Sequence, residues 1–391
     1  MFDWAGLLLK AVYYYGHLIG LSNFEFDWRT GRVFTAKRST FYAIAINAII
    51  FMLLILQSTK KLDLNMIIGR SNKLVQYVLI IVLGMRIAAG FSAILVRWRQ
   101  RTQMMRLTKM VIRIFLQKPQ VIRMSRWDIL IKFILACTTD FLQMAITWNA
   151  MGHSEANQIL PMVVQFWMSA VINLATSQHY LVILFVRAYY HLLNRELRQV
   201  IEECKELSNH PQRKGAFMTR CCSLSDRLEI IAKLQTQLQS TVTQLHEVFA
   251  LQGLMVFGGY YILSIATAYL TYSILKNGYE NLEMTLVMMI LSFTWSFFFY
   301  LDAILNLFMT LNLIDDHKEM IRLLDQRTIF ASRLDVRLEE TFDSMQLQMI
   351  RDPFKIKIFK TFTITRSSTS VMFGSLITNS IFLIQYDLEN F

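Results

Sequence analysis

The chain reads as an all-α, polytopic membrane protein: seven transmembrane helices, the N-terminus cytoplasmic, the C-terminus extracellular, and long cytoplasmic helical extensions. Three observations predict this. Of its 391 residues 54% are hydrophobic, with positive mean hydropathy and only 4 Pro and 14 Gly, too apolar for an ordinary soluble domain. The apolar runs are long and do not alternate as the strands of a membrane barrel do. Finally, the basic residues lie in blocks between the runs, so the formal charge of +12 reports membrane topology rather than a nucleic-acid surface.

In the cytoplasmic N-terminal segment 1–39, the stretch from Met1 to Gly20 carries Asp3, Lys10 and His17 and lacks the basic start and small-residue cleavage site of a signal peptide. Its Trp4, Tyr13, Tyr14 and Tyr15 suit a helix lying at the membrane interface. Spans are predicted at 40–57, 74–95, 129–151, 160–186, 249–275, 284–311 and 367–386. With that threading, thirty-three Lys and Arg fall on the side of the N-terminus and five on the other. Positive charge is retained in the cytoplasm, so the N-terminus is expected inside and the tail 387–391 outside. The outer loops are too short for a folded ectodomain, and any ligand must be recognised between the helices.

The cytoplasmic stretches carry helical patterns of their own. The fourth span continues through 187–207, and Leu224, Leu228, Ile231, Leu234, Leu238, Val242, Leu245 and Phe249 recur at three- and four-residue spacing into the fifth. The extensions at 187–248 therefore belong with a six-helix ligand-binding region at 40–311. Within 312–366, Leu334, Leu338, Phe342, Met345 and Met349 predict another helix. Asp352 and Pro353 have the look of an N-cap and first helical position, so a short helix is predicted through FKIKIFKTFTI, completing a cytoplasmic anchor.

The last span, SSTSVMFGSLITNSIFLIQY, gathers Ser367, Ser370, Gly374, Ser375, Thr378, Asn379 and Gln385 in one stripe. About 20 residues at ~1.5 Å each cross a bilayer. Small residues at such spacing also serve ordinary helix packing, but a wettable stripe is costly against lipid unless it meets its own copies or water. The stripe marks a candidate pore helix, with Asp387 at its outer mouth. If copies surround an axis, Asp387 forms an anionic ring that concentrates cations.

Charges inside spans need partners: Arg86, Asp140 and Asp302 are expected to form a buried Arg–Asp pair tying helices together, with a direct role in ligand binding as the alternative. Trp148, Gln165, Trp167, Asn173, Tyr260, Tyr261, Tyr269, Trp295 and Tyr300, with Gln143 and Tyr272, supply the amphipathic rings and amides of a small-molecule pocket. An enzyme is not indicated. His246-Glu247 lacks the second histidine of a zinc-protease helix, Asp315-Asp316-His317 reads as a solvated helix end, and there is no phosphate loop or Cys-x-x-Cys, so neither cofactor nor metal is predicted. The four cysteines are expected as free thiols.

The closing segment Thr378-Asn379-Ser380-Ile381-Phe382-Leu383-Ile384-Gln385-Tyr386 resembles the signature of the insect gustatory receptors: Thr-Tyr, five mostly apolar residues, then Gln-Phe. Thr378 and Gln385 match, Tyr386 replaces Phe, and Asn379 stands where Tyr is usual. The opening MFDWAGLLLKAVYYYG, HYLVILFVRAYYHLL at 179–193 and the ending TNSIFLIQYD look closer still to the group-thirty-six receptors of Drosophila. That resemblance implies a tetrameric, ligand-gated, nonselective cation channel, homomeric or built with other gustatory receptor subunits. It would sit in the plasma membrane of gustatory neurons, in the dendrite, and be opened by tastants, bitter compounds among them. It further implies a gate at Gln385 and Tyr386, on a pore helix carrying Phe382, Thr378, Asn379 and Ser375. The alternatives are a metabotropic seven-span receptor, whose C-terminus would lie inside, and a non-channel transporter, for which no internal repeat is visible.

Overall fold

The computed structural model describes residues 4–27, 30, 32–59, 73–117, 120–152, 156–209, 214–277, 285–329, 334–358 and 362–390. Along the chain come α1 (Trp4–Leu18), a short hairpin of β1 (Glu25–Phe26) and β2 (Val33–Phe34), then α2 (Lys37–Thr59), α3 (Lys73–Arg99), α4 (Arg101–Gln117) and α5 (Gln120–Met124). After these come α6 (Arg126–Gly152), α7 (Ala156–Asn209), α8 (Lys214–Val248), α9 (Ala250–Asn277), α10 (Leu286–Asp325) and α11 (Val336–Arg351). A second hairpin, β3 (Lys357–Ile358) with β4 (Phe362–Thr363), leads into α12 (Arg366–Asn390). Among the described residues seven helices, α2, α3, α6, α7, α9, α10 and α12, are long and apolar enough to cross a membrane, matching the seven predicted runs.

α7 is the axis of the bundle. It packs against α2, α3, α6, α8 and α10, because one continuous helix of 54 residues carries apolar positions on several faces. Beyond its membrane length it holds the lower core, where Leu197, Val200, Ile201, Cys204 and Leu207 meet Leu224, Leu228 and Ile231 of α8 and Leu338, Phe342, Met345 and Met349 of α11. These are the spacings from which the extensions were predicted. α8 passes into α9 through Phe249 with no loss of backbone pairing: Phe249 N–H donates to Leu245 O at 2.9 Å and Gly253 N–H to Phe249 O at 2.6 Å. Gly90 of α3 permits close approach to α7, since a Cβ there would lie 2.6 Å from Met168 Sδ and 3.1 Å from its Cβ.

The predicted helix after Pro353 is not there. α11 ends at Asp352, its C-cap, and in the described parts of the KIKIFKTFTI run β3 pairs antiparallel with β4, with Ile364 N–H donating to Ile356 O at 2.9 Å beside them. The physical reason is period: Ile356 and Ile364 are buried, and β-branched or aromatic residues alternating with Lys suit a two-residue repeat better than a helical one. Pro353 follows a helix end instead of opening a new helix.

α12 is the outlier. Its extensive neighbour is α9, which it meets through Leu383, Ile384 and Asp387; these and Met372, Leu376 and Ser380 are less exposed than the positions beside them and recur in the rhythm of one helical face. Tyr261 of α9 pairs with Ser375, and Tyr269 further along with Asp387, so the two helices run parallel.

Candidate functional site

The site grows from charges that the membrane core does not tolerate alone. Lys132 of α6 and Asp302 of α10 are both buried and form an ion pair at 2.5 Å, with Asn306 donating to the other Asp302 oxygen at 3.1 Å. Asp140, two turns beyond Lys132, accepts from Asn173 of α7 at 2.8 Å on one oxygen and from Tyr15 of α1 at 2.8 Å on the other. Burial raises the Tyr15 hydroxyl above its ordinary value and the neighbouring Asp140 carboxylate raises it further, so Tyr15 remains a donor throughout the physiological range. Thus α1, which lies outside the seven spans, reaches the centre of the bundle.

The expected Arg–Asp pair is corrected by this arrangement. Asp302 takes Lys132, not Arg86. The Arg86 guanidinium instead donates to Gln143 Oε1 at 3.3 Å and lies 4.9 Å from the centre of the Trp295 ring. Choice of partner follows from which helix faces which: α10 packs along both α6 and α7, whereas α3 packs mainly on α7 and α9.

These groups surround a cavity of about 80 Å³ between α3, α6, α7, α9 and α10. Of the predicted pocket residues it brings together Gln143, Asn173, Tyr260 and Trp295, and adds Arg86, Asp140 and Asp302. Phe299, absent from the sequence-based set, completes an aromatic wall: its ring stacks on Trp295 at 4.9 Å and meets Tyr260 at 4.7 Å. Its place one helical turn beyond Trp295 on α10 was the available signal. A second cavity adjoins across Thr176, Val256 and Tyr260, lined by His179, His246, Gln252 and Asn306. His246 Nδ1–H donates to Val242 O at 2.8 Å, and burial lowers the basicity of the ring.

The remaining predicted pocket residues lie elsewhere. Trp148 is 79% exposed on the outside of α6. Trp167 packs toward α2 and α3, and the buried side-chain carbonyl oxygen of Gln165 has no partner among the described residues. Tyr300 bonds Thr267 at 2.9 Å. Tyr261 and Tyr269 face α12: the Tyr261 hydroxyl is 2.7 Å from both Ser375 Oγ and Asn379 Nδ2, and Tyr269 donates to Asp387 at 3.0 Å.

On α12, Ser370, Gly374, Ser375, Thr378, Asn379, Phe382, Gln385 and Tyr386 are exposed in this chain. Asp387, expected at an open mouth, is instead 2% exposed and held by Lys276 at 3.2 Å and by Tyr269. A carboxylate beside a basic side chain and a phenol on the packed face of α12 is a clasp between helices, and it does not point into open space. Asp316 likewise takes Arg187 and His191 at 3.2 and 3.4 Å. No group of three or more potential metal ligands occurs among the described residues.

Five of the apolar helices enclose the mid-bundle cavity while α12 stands at the side, and the 7tm chemosensory receptor family model matches residues 9–390. The chain belongs to the insect gustatory receptors of that family. It is 58% identical to Putative gustatory receptor 36a of Drosophila melanogaster and 53% identical to Putative gustatory receptor 36c, covering 100% of each chain in both pairs. The fold is that of the insect olfactory receptor OR5 from Machilis hrabei, with a TM-score of 0.70 at 12% identity over 97% of both chains. OR5 in complex with eugenol gives 0.68 at 11% identity, over 98% of this chain and 100% of that one.

Proposed function

We propose that the chain is a gustatory receptor subunit acting as a ligand-gated, nonselective cation channel, opened by small extracellular tastants, bitter compounds among them. The observation that carries this reading is the pairing of a mid-membrane cavity with a seventh span whose polar stripe its own chain leaves uncovered. Hydroxyls and amides facing hydrocarbon are unfavourable. Four copies, or this chain with other gustatory receptor subunits, would place Ser375, Thr378, Asn379, Gln385 and Tyr386 around a hydrated axis for permeant cations.

In this reading the excess of basic residues sets the N-terminus and the lower core of α7, α8 and α11 in the cytoplasm, and the cavity opens outward. The receptor resides in the plasma membrane of gustatory neurons. The OR5 complex with eugenol supports a small organic ligand in the cavity. Ligand binding favours the open state by binding it more tightly, and α9 relays the change. Its Tyr260 lines the cavity, while the next residue, Tyr261, bonds Ser375 and Asn379 of α12.

The test is current recording from cells expressing the chain alone and with candidate partner subunits. A tastant-evoked cation current whose conductance, selectivity or gating changes in Gln385→Ala is the expected outcome. Robust responses with all three unchanged would remove Gln385 from the gate, and a C-terminal tag found inside would favour a metabotropic receptor.

A further inference from the structure

The two acids in the cavity are already satisfied. Each oxygen of Asp302 accepts a hydrogen bond, from Lys132 on one side and Asn306 on the other, and each oxygen of Asp140 does the same from Asn173 and Tyr15. Arg86 is the opposite case. Among the described residues, one of the five donors on its guanidinium is engaged, at Gln143 Oε1, and no carboxylate there pairs with the group, which lies in the cavity wall. Beside it the Trp295, Phe299 and Tyr260 rings make a continuous aromatic surface, with Arg86 positioned over the Trp295 end.

From this imbalance we infer that the cavity selects ligands with a flat aromatic body and an anionic or strongly accepting head group, such as a carboxylate, lactone or amide carbonyl. The body lies along the Trp295–Phe299–Tyr260 wall and the head receives the free Arg86 donors. A guanidinium presents parallel donors that match a carboxylate or carbonyl better than an ammonium would. A cationic amine would meet Arg86 as a like charge, and it would find both acids occupied. The inference rests on the cavity being the tastant site.

The test uses the full-length receptor purified in lipid nanodiscs and three probes with one body, namely 3-phenylpropionate, 3-phenylpropanamide and 3-phenylpropylamine, each titrated against thermal unfolding. In the unmodified receptor the carboxylate should bind roughly tenfold or more tightly than the amine, as charge-assisted hydrogen bonds require, with the amide between them. Arg86→Met should bring the carboxylate to the level of the amine. Arg86→Lys, which keeps the charge should the first variant fail to fold, should preserve the preference for carboxylate over amine while weakening the amide. Equal or tighter binding of the amine to the unmodified receptor, an unchanged carboxylate affinity in Arg86→Met, or no stabilisation by any probe would overturn the inference. Failure of the underlying site is read separately: if Tyr260→Ala leaves every probe bound as before, the ligand does not occupy this cavity at all.

Discussion

α7 and α12 cross the membrane with nearly the same mean hydropathy in their apolar windows, 1.4 and 1.3, yet 61% of the first window is buried inside the chain and 6% of the second. Apolarity therefore sets which segments enter the bilayer and says little about which lie at the centre. In water the difference would signal an unfinished fold; in lipid a bare helix is ordinary unless it is also polar. α12 is both bare and polar. What distinguishes α7 is the closeness of its neighbours, with Gly90 of α3 against Met168 and Ala93 clustered with Ala170 and Ala175, whereas α12 meets α9 along one narrow face, through Leu383 and Ile384 and through hydrogen bonds at separate heights. One helix is a scaffold and the other is suspended from it.

The comparison is strained most by breaking the scaffold's charges. Lys132→Met leaves Asp302 buried without its cation, and removing one partner of such a pair costs about 3–5 kcal/mol. The expected outcome is loss of most folded receptor, measured as the monodisperse yield of a fluorescent fusion in detergent. The double variant Lys132→Met with Asp302→Leu should recover much of it. If the single variant folds like the unmodified chain, the pair is no clasp.

A smaller effect comes from placing the same bulk on each helix contact. A Cβ at Gly90 meets the stem of Met168, while one at Gly374 meets nothing within 4 Å. Gly90→Leu should therefore lower folded yield and thermal stability by an amount typical of overpacking, about 1–3 kcal/mol. Gly374→Leu should leave the stability of the isolated subunit unchanged while altering evoked current. Equal destabilisation by both would mean that α12 is as enclosed as α7, contradicting the contrast between them.

Much of this fold was legible in the sequence. The seven runs, the continuation of α7 and the Leu338–Met349 helix follow from length and from three- and four-residue spacing. The β3–β4 pairing departs from the helix expected after Pro353 because the alternation of Ile356 and Ile358 with lysines outweighs the tendency of proline to open a helix. At the site, residue type identified which polar groups needed partners but could not choose them: Arg86, Lys132, Asp140 and Asp302 are interchangeable until the helices are set side by side. Tyr260 and Tyr261 show the same limit, since their chemistry is identical and only the rotation of α9 sends one to the cavity and the other to α12.

That rotation yields the smallest and most specific test. The Tyr261 hydroxyl is the shared partner of Ser375 and Asn379, and Asn379 occupies the signature position usually held by Tyr. An amide there can bond a phenol on α9 while also donating to Ser375 O at 2.9 Å, so the departure from the signature is matched by Tyr261. Tyr261→Phe removes one hydroxyl, keeps the ring, and leaves Tyr260 and the cavity untouched. Loss of a hydrogen bond of ordinary strength, about 1 kcal/mol, corresponds to roughly a fivefold change in the coupling between cavity and α12. Ligand binding measured by thermal stabilisation should stay within twofold, while the maximal evoked current falls or its half-activating concentration rises by a few fold. Asn379→Ala should do the same, and the two together no more than either alone. Additive losses, or a parallel loss of binding, would show that α9 does not carry the signal through this contact, and that α12 is reached instead from its start, where Arg366 pairs with Asp315 of α10.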